Sequence, residues 1–186
     1  MKRYLITDPD YFPRHGAGFA RAFSAAFRLR HPHFCCLRDK NNPDYPRLAR
    51  RFLRQGSRFK TSLLLHGDWR LAKRLGARGV HLPESRRRSI GAARRAGLLT
   101  VCSCHTPADV RRALQQGAHY ATLSPVYDSP GKGRALGAQF LKGCDAKIKP
   151  RIIALGGIVS MRQIDEIQAA GIGIFASIRY FVQKEI

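Results

Sequence analysis

The chain has 186 residues, 44% of them hydrophobic, and a formal net charge of +22 from 34 lysines and arginines against 12 acidic residues. This composition excludes a disordered chain, and the length suffices for one domain with a sizeable core, expected to span residues 1–186. No apolar run reaches the roughly 20 residues of a membrane span, and the start Met1-Lys2-Arg3-Tyr4-Leu5 lacks a signal-peptide core. A cytoplasmic protein without a membrane partner is therefore expected. The cations are spread over several helical segments, such as Arg47, Arg50, Arg51 and Arg54, or Arg111 and Arg112. No aromatic RNA-binding motif or zinc-finger spacing accompanies them, so a solvated basic surface is expected rather than a nucleic-acid partner. Cys35, Cys36, Cys102, Cys104 and Cys144 are odd in number and mostly lie in apolar runs, as reduced thiols in a core do.

In chain order, residues 4–7 predict a first strand ended by Asp8-Pro9-Asp10, and residues 19–29 carry apolar side chains at helical spacing. Residues 34–37 form a second strand, 43–55 a helix stopped by Gly56, 61–65 a third strand, and 69–75 a short helix closed by Gly76. A fourth strand at 79–82 precedes a basic helix over 86–96. A fifth strand at 98–105 leads into a helix with Thr106 as N-cap and Pro107 at its first position. The sixth strand, 120–123, is followed by a long loop, 124–137. The run Ile152-Ile153-Ala154-Leu155 has the continuous apolarity of a strand buried on both faces, and Gly156-Gly157 end it. A helix with Ile158, Met161, Ile164 and Ile167 follows, then an eighth strand at 172–176 and a closing helix at 178–184. Eight strands alternating with helices indicate a compact (β/α)8 TIM barrel, below the typical ~250 residues of that fold. A doubly wound open sheet is the competing architecture, and in both the site lies at the strand C-termini.

The residues able to carry chemistry sit at those ends. Gly156 and Gly157 open a helix and leave backbone N–H groups bare, as phosphate sites do, and Ser177 stands at the next such turn. Arg38 and Lys40, two apart at the end of the second strand, project together as anion ligands. Ser103 and His105 share one face of the fifth strand. An imidazole, with an ordinary pKa of about 6.5, suits proton transfer there. Cys102 and Cys104 face the other way, which argues against a zinc site with His105. The long sixth loop offers Ser129 as a hydroxyl donor and Lys132 to close over a charged ligand. His66 and His81 also lie near strand ends and are taken as packed residues.

The segments Tyr4-Leu-Ile-Thr-Asp8, Leu37-Arg-Asp-Lys40, Gly76-Ala-Arg-Gly-Val-His-Leu82, Ser103-Cys-His-Thr106, Gly117-Ala-His-Tyr120, Ser124-Pro-Val-Tyr127 with Lys132 and Gly137, and Ala154-Leu-Gly-Gly-Ile158 follow one another in an order that resembles the thiamine phosphate synthase/TenI family of (β/α)8 barrels. In that family the synthase couples a pyrimidine diphosphate to a thiazole phosphate with Mg²⁺. The TenI branch instead aromatises a thiazole phosphate carboxylate by a proton shift. The resemblance implies Arg38, Lys40, Ser103 and Ser129 as substrate ligands, and Gly156, Gly157 and Ser177 as a cradle for the thiazole phosphate. It makes His105 and Lys132 the candidate catalytic residues. Synthases usually carry Asn-Asp after the third strand, where this chain has His66-Gly67 with Asp68 one place late. Where they carry an acid after the fourth strand, this chain has Pro83-Glu84-Ser85-Arg86. The expectation is thus a TenI-like thiazole tautomerase that needs no cofactor. The alternatives are a divergent synthase holding Mg²⁺ on Asp68 and Glu84, and a non-catalytic binder of thiamine-related phosphates. The partner in each case is a small phosphorylated thiazole or thiamine phosphate. The oligomeric state, a homo-oligomer included, is left open.

Overall fold

Short apolar runs, each cut off by glycine, proline or a polar turn, make strands too short to pack alone, and they close on one another. A computed structural model describes residues 1–14, 16–131 and 133–183. The strands are β1 (Lys2–Ile6), β2 (Phe34–Leu37), β3 (Ser62–His66), β4 (Gly79–Leu82), β5 (Leu99–Cys104), β6 (Tyr120–Leu123), β7 (Ile152–Leu155) and β8 (Ile174–Ser177). Each pairs in parallel with the next, and β8 returns to β1 with Tyr4 opposite Ala176, so the sheet is a closed barrel. The helices are α1 (Gly16–Arg30), α2 (Tyr45–Gly56), α3 (Trp69–Arg74), α4 (Ile90–Arg95), α5 (Pro107–Gln115), α6 (Ala138–Lys142) and α7 (Met161–Ala169). No helix among the described residues is long and apolar enough to cross a membrane. Closure decides between the two predicted architectures in favour of the barrel.

Side chains alternate across the barrel wall, as strand geometry requires. Tyr4, Ile6, Cys36, Leu64, Val101 and Ile153 fill the interior. Their neighbours Leu5, Leu37, Leu65 and Cys102 pack outward under the helices. All five cysteines are buried and free. On the outer layer, the Phe23 ring lies 5.6 Å from Phe19, 4.4 Å from Phe27 and 5.5 Å from Phe52, tying α1 to α2.

Several boundaries differ from the sequence reading. Gly56 belongs to α2 instead of stopping it. A Cβ there would lie 2.5 Å from Leu63 Cδ1, so its smallness serves helix–sheet contact. The basic segment is a 3₁₀ stretch, Glu84–Ser89, joined to a short α4, because Arg86 leaves helical geometry (φ −106°, ψ 18°). β5 ends at Cys104, which puts His105 beyond the strand. β8 begins at Ile174, two residues later than expected. The closing helix is only a 3₁₀ turn, Arg179–Phe181, and its expected end at Lys184 falls outside the described residues.

Because Phe23 is fully buried at the centre of an aromatic cluster, Phe23→Ala is expected to destabilise the fold by about 3–5 kcal/mol. Urea unfolding of the two proteins checks this; a difference below ~1 kcal/mol would mean that the cluster collapses to fill the void.

Candidate active site

The C-terminal ends of the strands form the mouth of the barrel, and the charges there are sorted by pairing. Asp39 is 6% exposed and turns away from its neighbours to accept a two-pronged bond from Arg14, at 2.7 and 2.9 Å. This fork raises the Arg14 pKa further, chiefly through the hydrogen bond to Asp39. Arg38, half-buried, is held instead by Asp8 at 2.9 Å. Its backbone N–H donates to Thr7 Oγ1, at 2.9 Å, which ties the end of β2 to that of β1. Lys40 is exposed in the turn that follows. The two predicted anion ligands therefore stand just past β2, with Asp39 withdrawn from between them.

Inside the mouth, His81 joins two hydroxyls: Tyr4 Oη lies 3.0 Å from Nδ1, and Ser103 Oγ lies 3.1 Å from Nε2. His81 is 3% exposed, and burial, with smaller contributions from His66 and Arg38, pushes its pKa down to about 3. It is a neutral ring that donates through one nitrogen and accepts through the other. Next to it, His66 is pushed down to about 4 by burial first, and then by Arg38, Lys40 and Arg86. The Tyr45 hydroxyl fastens this region by donating to Leu37 O at 2.7 Å and accepting from His66 N at 3.0 Å. Thr122, beside Ser103 on β6, has a buried hydroxyl without a partner among the described residues. The sequence reading took His81 as packed, which its burial bears out, but did not foresee the hydroxyls of Tyr4 and Ser103 that it joins. The signal was alternation: Gly79 and His81 share a face of β4, and His81 pairs with Val101, two residues before Ser103.

His105 is exposed, with Nδ1 2.9 Å from Ser124 O. A carbonyl only accepts, so Nδ1 carries the hydrogen and Nε2 of the neutral ring keeps its lone pair. Ser103 and His105, predicted to act together, differ in setting: one is tied into the barrel, the other stands on its rim. Ser129 donates to Tyr127 O at 3.3 Å, an internal bond of the sixth loop. Lys132 lies outside the described residues.

The Gly156–Gly157 turn differs from expectation in what it approaches. Both residues have positive φ, 103° and 67°. A Cβ on Gly156 would lie 2.8 Å from Pro125 Cα, and one on Gly157 would lie 2.7 Å from the Tyr127 carbonyl carbon and collide with Asp128 O. The missing side chains admit the sixth loop, which donates from Val126 N to Leu155 O and from Tyr127 N to Gly156 O, at 2.9 and 3.0 Å. Ser177, 6% exposed, donates to Ile158 O at 2.7 Å and accepts from Tyr180 N at 3.2 Å. Its hydroxyl thus locks the seventh loop to the eighth, and what it leaves to a ligand is backbone. A capping box of Ser160 and Gln163 satisfies the start of α7.

The predicted metal side is built differently. Asp68, exposed, uses Oδ1 to cap the N-terminus of α3, accepting from Arg70 N at 2.8 Å and Leu71 N at 3.1 Å. Glu84 is exposed at the start of its 3₁₀ stretch. Arg86 reaches back to donate to Gly67 O at 3.0 Å. No group of three or more metal-ligating side chains gathers among the described residues.

A closed parallel eight-stranded barrel with cations and a histidine-tied serine at its mouth makes this a (β/α)8 protein with polar groups gathered at the strand C-termini. The profile of the family described as "Thiamine monophosphate synthase" matches residues 3–181. A Geobacter sulfurreducens protein named "Putative thiamine-phosphate synthase" is 34% identical over 181 residues, covering 90% of this chain and 80% of that protein. A Gloeobacter violaceus "Thiamine-phosphate synthase" is 34% identical over 122 residues, which span 62% of this chain and only 35% of that protein. The solved "Thiamine phosphate pyrophosphorylase from Pyrococcus furiosus" superimposes with a TM-score of 0.80 at 20% identity, covering 99% of this chain and 89% of that one, and shows the fold. The chain belongs to the thiamine phosphate synthase family. The names of these relatives speak for the synthase alternative more than for the tautomerase expected from the sequence.

Mg²⁺, which that family implies, does not fit the residues present. A hard dication needs converging oxygen ligands. Here the candidate carboxylate of Asp68 caps a helix, and a guanidinium occupies the approach between the third and fourth loops.

Two measurements test this arrangement. His66 and His81 are depressed below the unfolded value of about 6.5, so the unfolded chain binds more protons, and their contribution is complete above that pH. It is lost as pH falls from about 6.5 towards about 4 and then about 3, a loss on the order of a few kcal/mol. Urea unfolding between about pH 7 and about pH 4.5 is expected to show a steeper decline for the native protein than for His81→Gln; parallel slopes would contradict a neutral buried His81. Gly157→Ala is expected to cost about 1–3 kcal/mol and to displace the sixth loop. Unchanged thermal unfolding of that variant would refute the close contact.

Proposed function

We propose that this chain works as a one-domain thiamine phosphate synthase that joins a pyrimidine diphosphate to a thiazole phosphate. The observation that carries the reading is that cations past β2 and backbone turns past β7 and β8 stand on one barrel mouth. Arg38, half-buried and paired with Asp8, and Lys40, exposed, stand past β2, while Asp39 between them is diverted to Arg14. The turns after β7 and β8, held together by the Ser177 hydroxyl, present backbone to the other substrate. Such turns are where barrels of this kind commonly hold phosphate. Expelling diphosphate requires that its developing charge be neutralised, and fixed cations do this without reorganising during the reaction. Ser103, held by His81, is placed to offer its hydroxyl to the same group.

A second reading, the proton shift of a thiazole phosphate carboxylate, is favoured by one observation. The bond from His105 Nδ1 to Ser124 O leaves Nε2 as the acceptor for a proton.

The deciding experiment supplies the purified protein with both phosphorylated substrates and follows thiamine phosphate and free diphosphate. A parallel reaction supplies the thiazole carboxylate tautomer. Product from the pair, reduced about 10²-fold in kcat/KM by Arg38→Ala, is the expected result. Conversion of the tautomer alone, abolished in His105→Ala, would transfer the assignment to the second reading. Tight binding with turnover in neither reaction would overturn both.

A further inference from the structure

The charges around Gly67 carry more than the synthase reading uses. Arg86 sits on an exposed 3₁₀ stretch, yet it is not adrift. Its backbone N–H donates to Pro83 O at 2.9 Å, and its Nη1 donates to Gly67 O at 3.0 Å. Its own φ and ψ depart from the helical values of its neighbours, and its side chain reaches back to the adjacent loop after β3. Gly67 lies just past β3, with φ 84°, and a Cβ built on it meets nothing within 4 Å. The space on the Cβ side of Gly67 is therefore open. The same small region holds Arg38, since Leu37 pairs with Leu65 and the next residues, Arg38 and His66, leave the strands side by side; Lys40 follows two residues on. Of the nearby carboxylates, Asp8 pairs with Arg38 itself, Asp39 is diverted to Arg14, Asp68 caps the start of α3 through Oδ1, and Glu84 is exposed. One donor of a guanidinium bound to a carbonyl leaves others in a planar fork, a shape that suits phosphate oxygens.

We infer that Arg86 completes, with Arg38 and Lys40, an anion site that takes the diphosphate group of a substrate directly on protein cations, without a divalent metal ion. The inference rests on the synthase reading for the identity of that substrate, but not for the site itself. A dication brought to this region meets positive charge instead of a carboxylate pair. Arg86 supplies from a fixed position the positive charge that a metal would otherwise bring with the ligand. The site thus selects free diphosphate over its metal complex.

Calorimetric titration of the intact protein with inorganic diphosphate, once in EDTA and once in excess Mg²⁺, tests this without turnover. Binding in EDTA that Mg²⁺ fails to strengthen is expected, with affinity about tenfold lower in Arg86→Gln. Arg88→Gln removes an equal charge from the same exposed stretch and is expected to change affinity less than about twofold. Gly67→Asp, which sets a carboxylate against Arg86 in open space, is expected to weaken binding in EDTA and to make Mg²⁺ helpful. Binding that appears only with Mg²⁺, equal affinity of Arg86→Gln and the native protein, or equal losses in Arg86→Gln and Arg88→Gln would each overturn the inference. Thermal unfolding of the variants separates loss of the site from loss of the fold. Absence of thiamine phosphate formation with this binding intact would remove the synthase reading and leave the anion site standing.

Discussion

A closed barrel of four- to six-residue strands has little spare interior, and a polar side chain that points inward is costly unless it finds its partner there. The line from Tyr4 through His81 to Ser103 meets this requirement, and the character of the mouth depends on it. Tyr4 is fully buried in the apolar interior, while Ser103 is partly open at the rim. His81 spans the step between these two environments as a neutral ring. Polar chemistry therefore begins inside the barrel wall and is oriented before any loop contributes to it.

Most of the fold was legible because a barrel buried on both faces writes each strand as an apolar run. Four predicted strands coincide with β2, β4, β6 and β7 to the residue. The misreadings have common causes. Arg86–Ala96 looked like one helix because periodicity does not register a guanidinium turning back to the carbonyl of Gly67. Gly56 looked like a helix stop because its reason, the Leu63 side chain on the next strand, is a tertiary contact. His81 is packed, as read, but one histidine in a four-residue strand says nothing about the hydroxyls on either side. For the site, the positions of Arg38, Lys40 and the double glycine were legible, and their relations were not. The diversion of Asp39 to Arg14 joins residues 25 apart in sequence, and no local pattern announces it.

The high positive charge takes on structure when its partners are traced. Acidic residues are few, and the buried or capping ones are engaged: Asp109 serves Thr106, Arg112 and Arg87, and Asp39 serves Arg14. With so few counter-charges, the region around His66 stays cationic, and the neutral state of both mouth histidines follows in part from it. Basic composition and a dry, neutral imidazole pair are thus two aspects of one electrostatic balance.

The sixth loop is pinched at its base. Val126 and Tyr127 donate to Leu155 and Gly156, while Leu136 and Gly137 donate back to Pro125 and Val126. The Tyr127 hydroxyl adds a bond to Glu166 on α7. The chain between these anchors is a closed excursion whose ends are already joined, so its length enters the stability of the barrel only weakly. Insertions, or a single peptide-bond cut placed in that excursion, would leave the eight-stranded ladder intact. The loop is therefore where this scaffold has room to change in length while the barrel beneath stays the same.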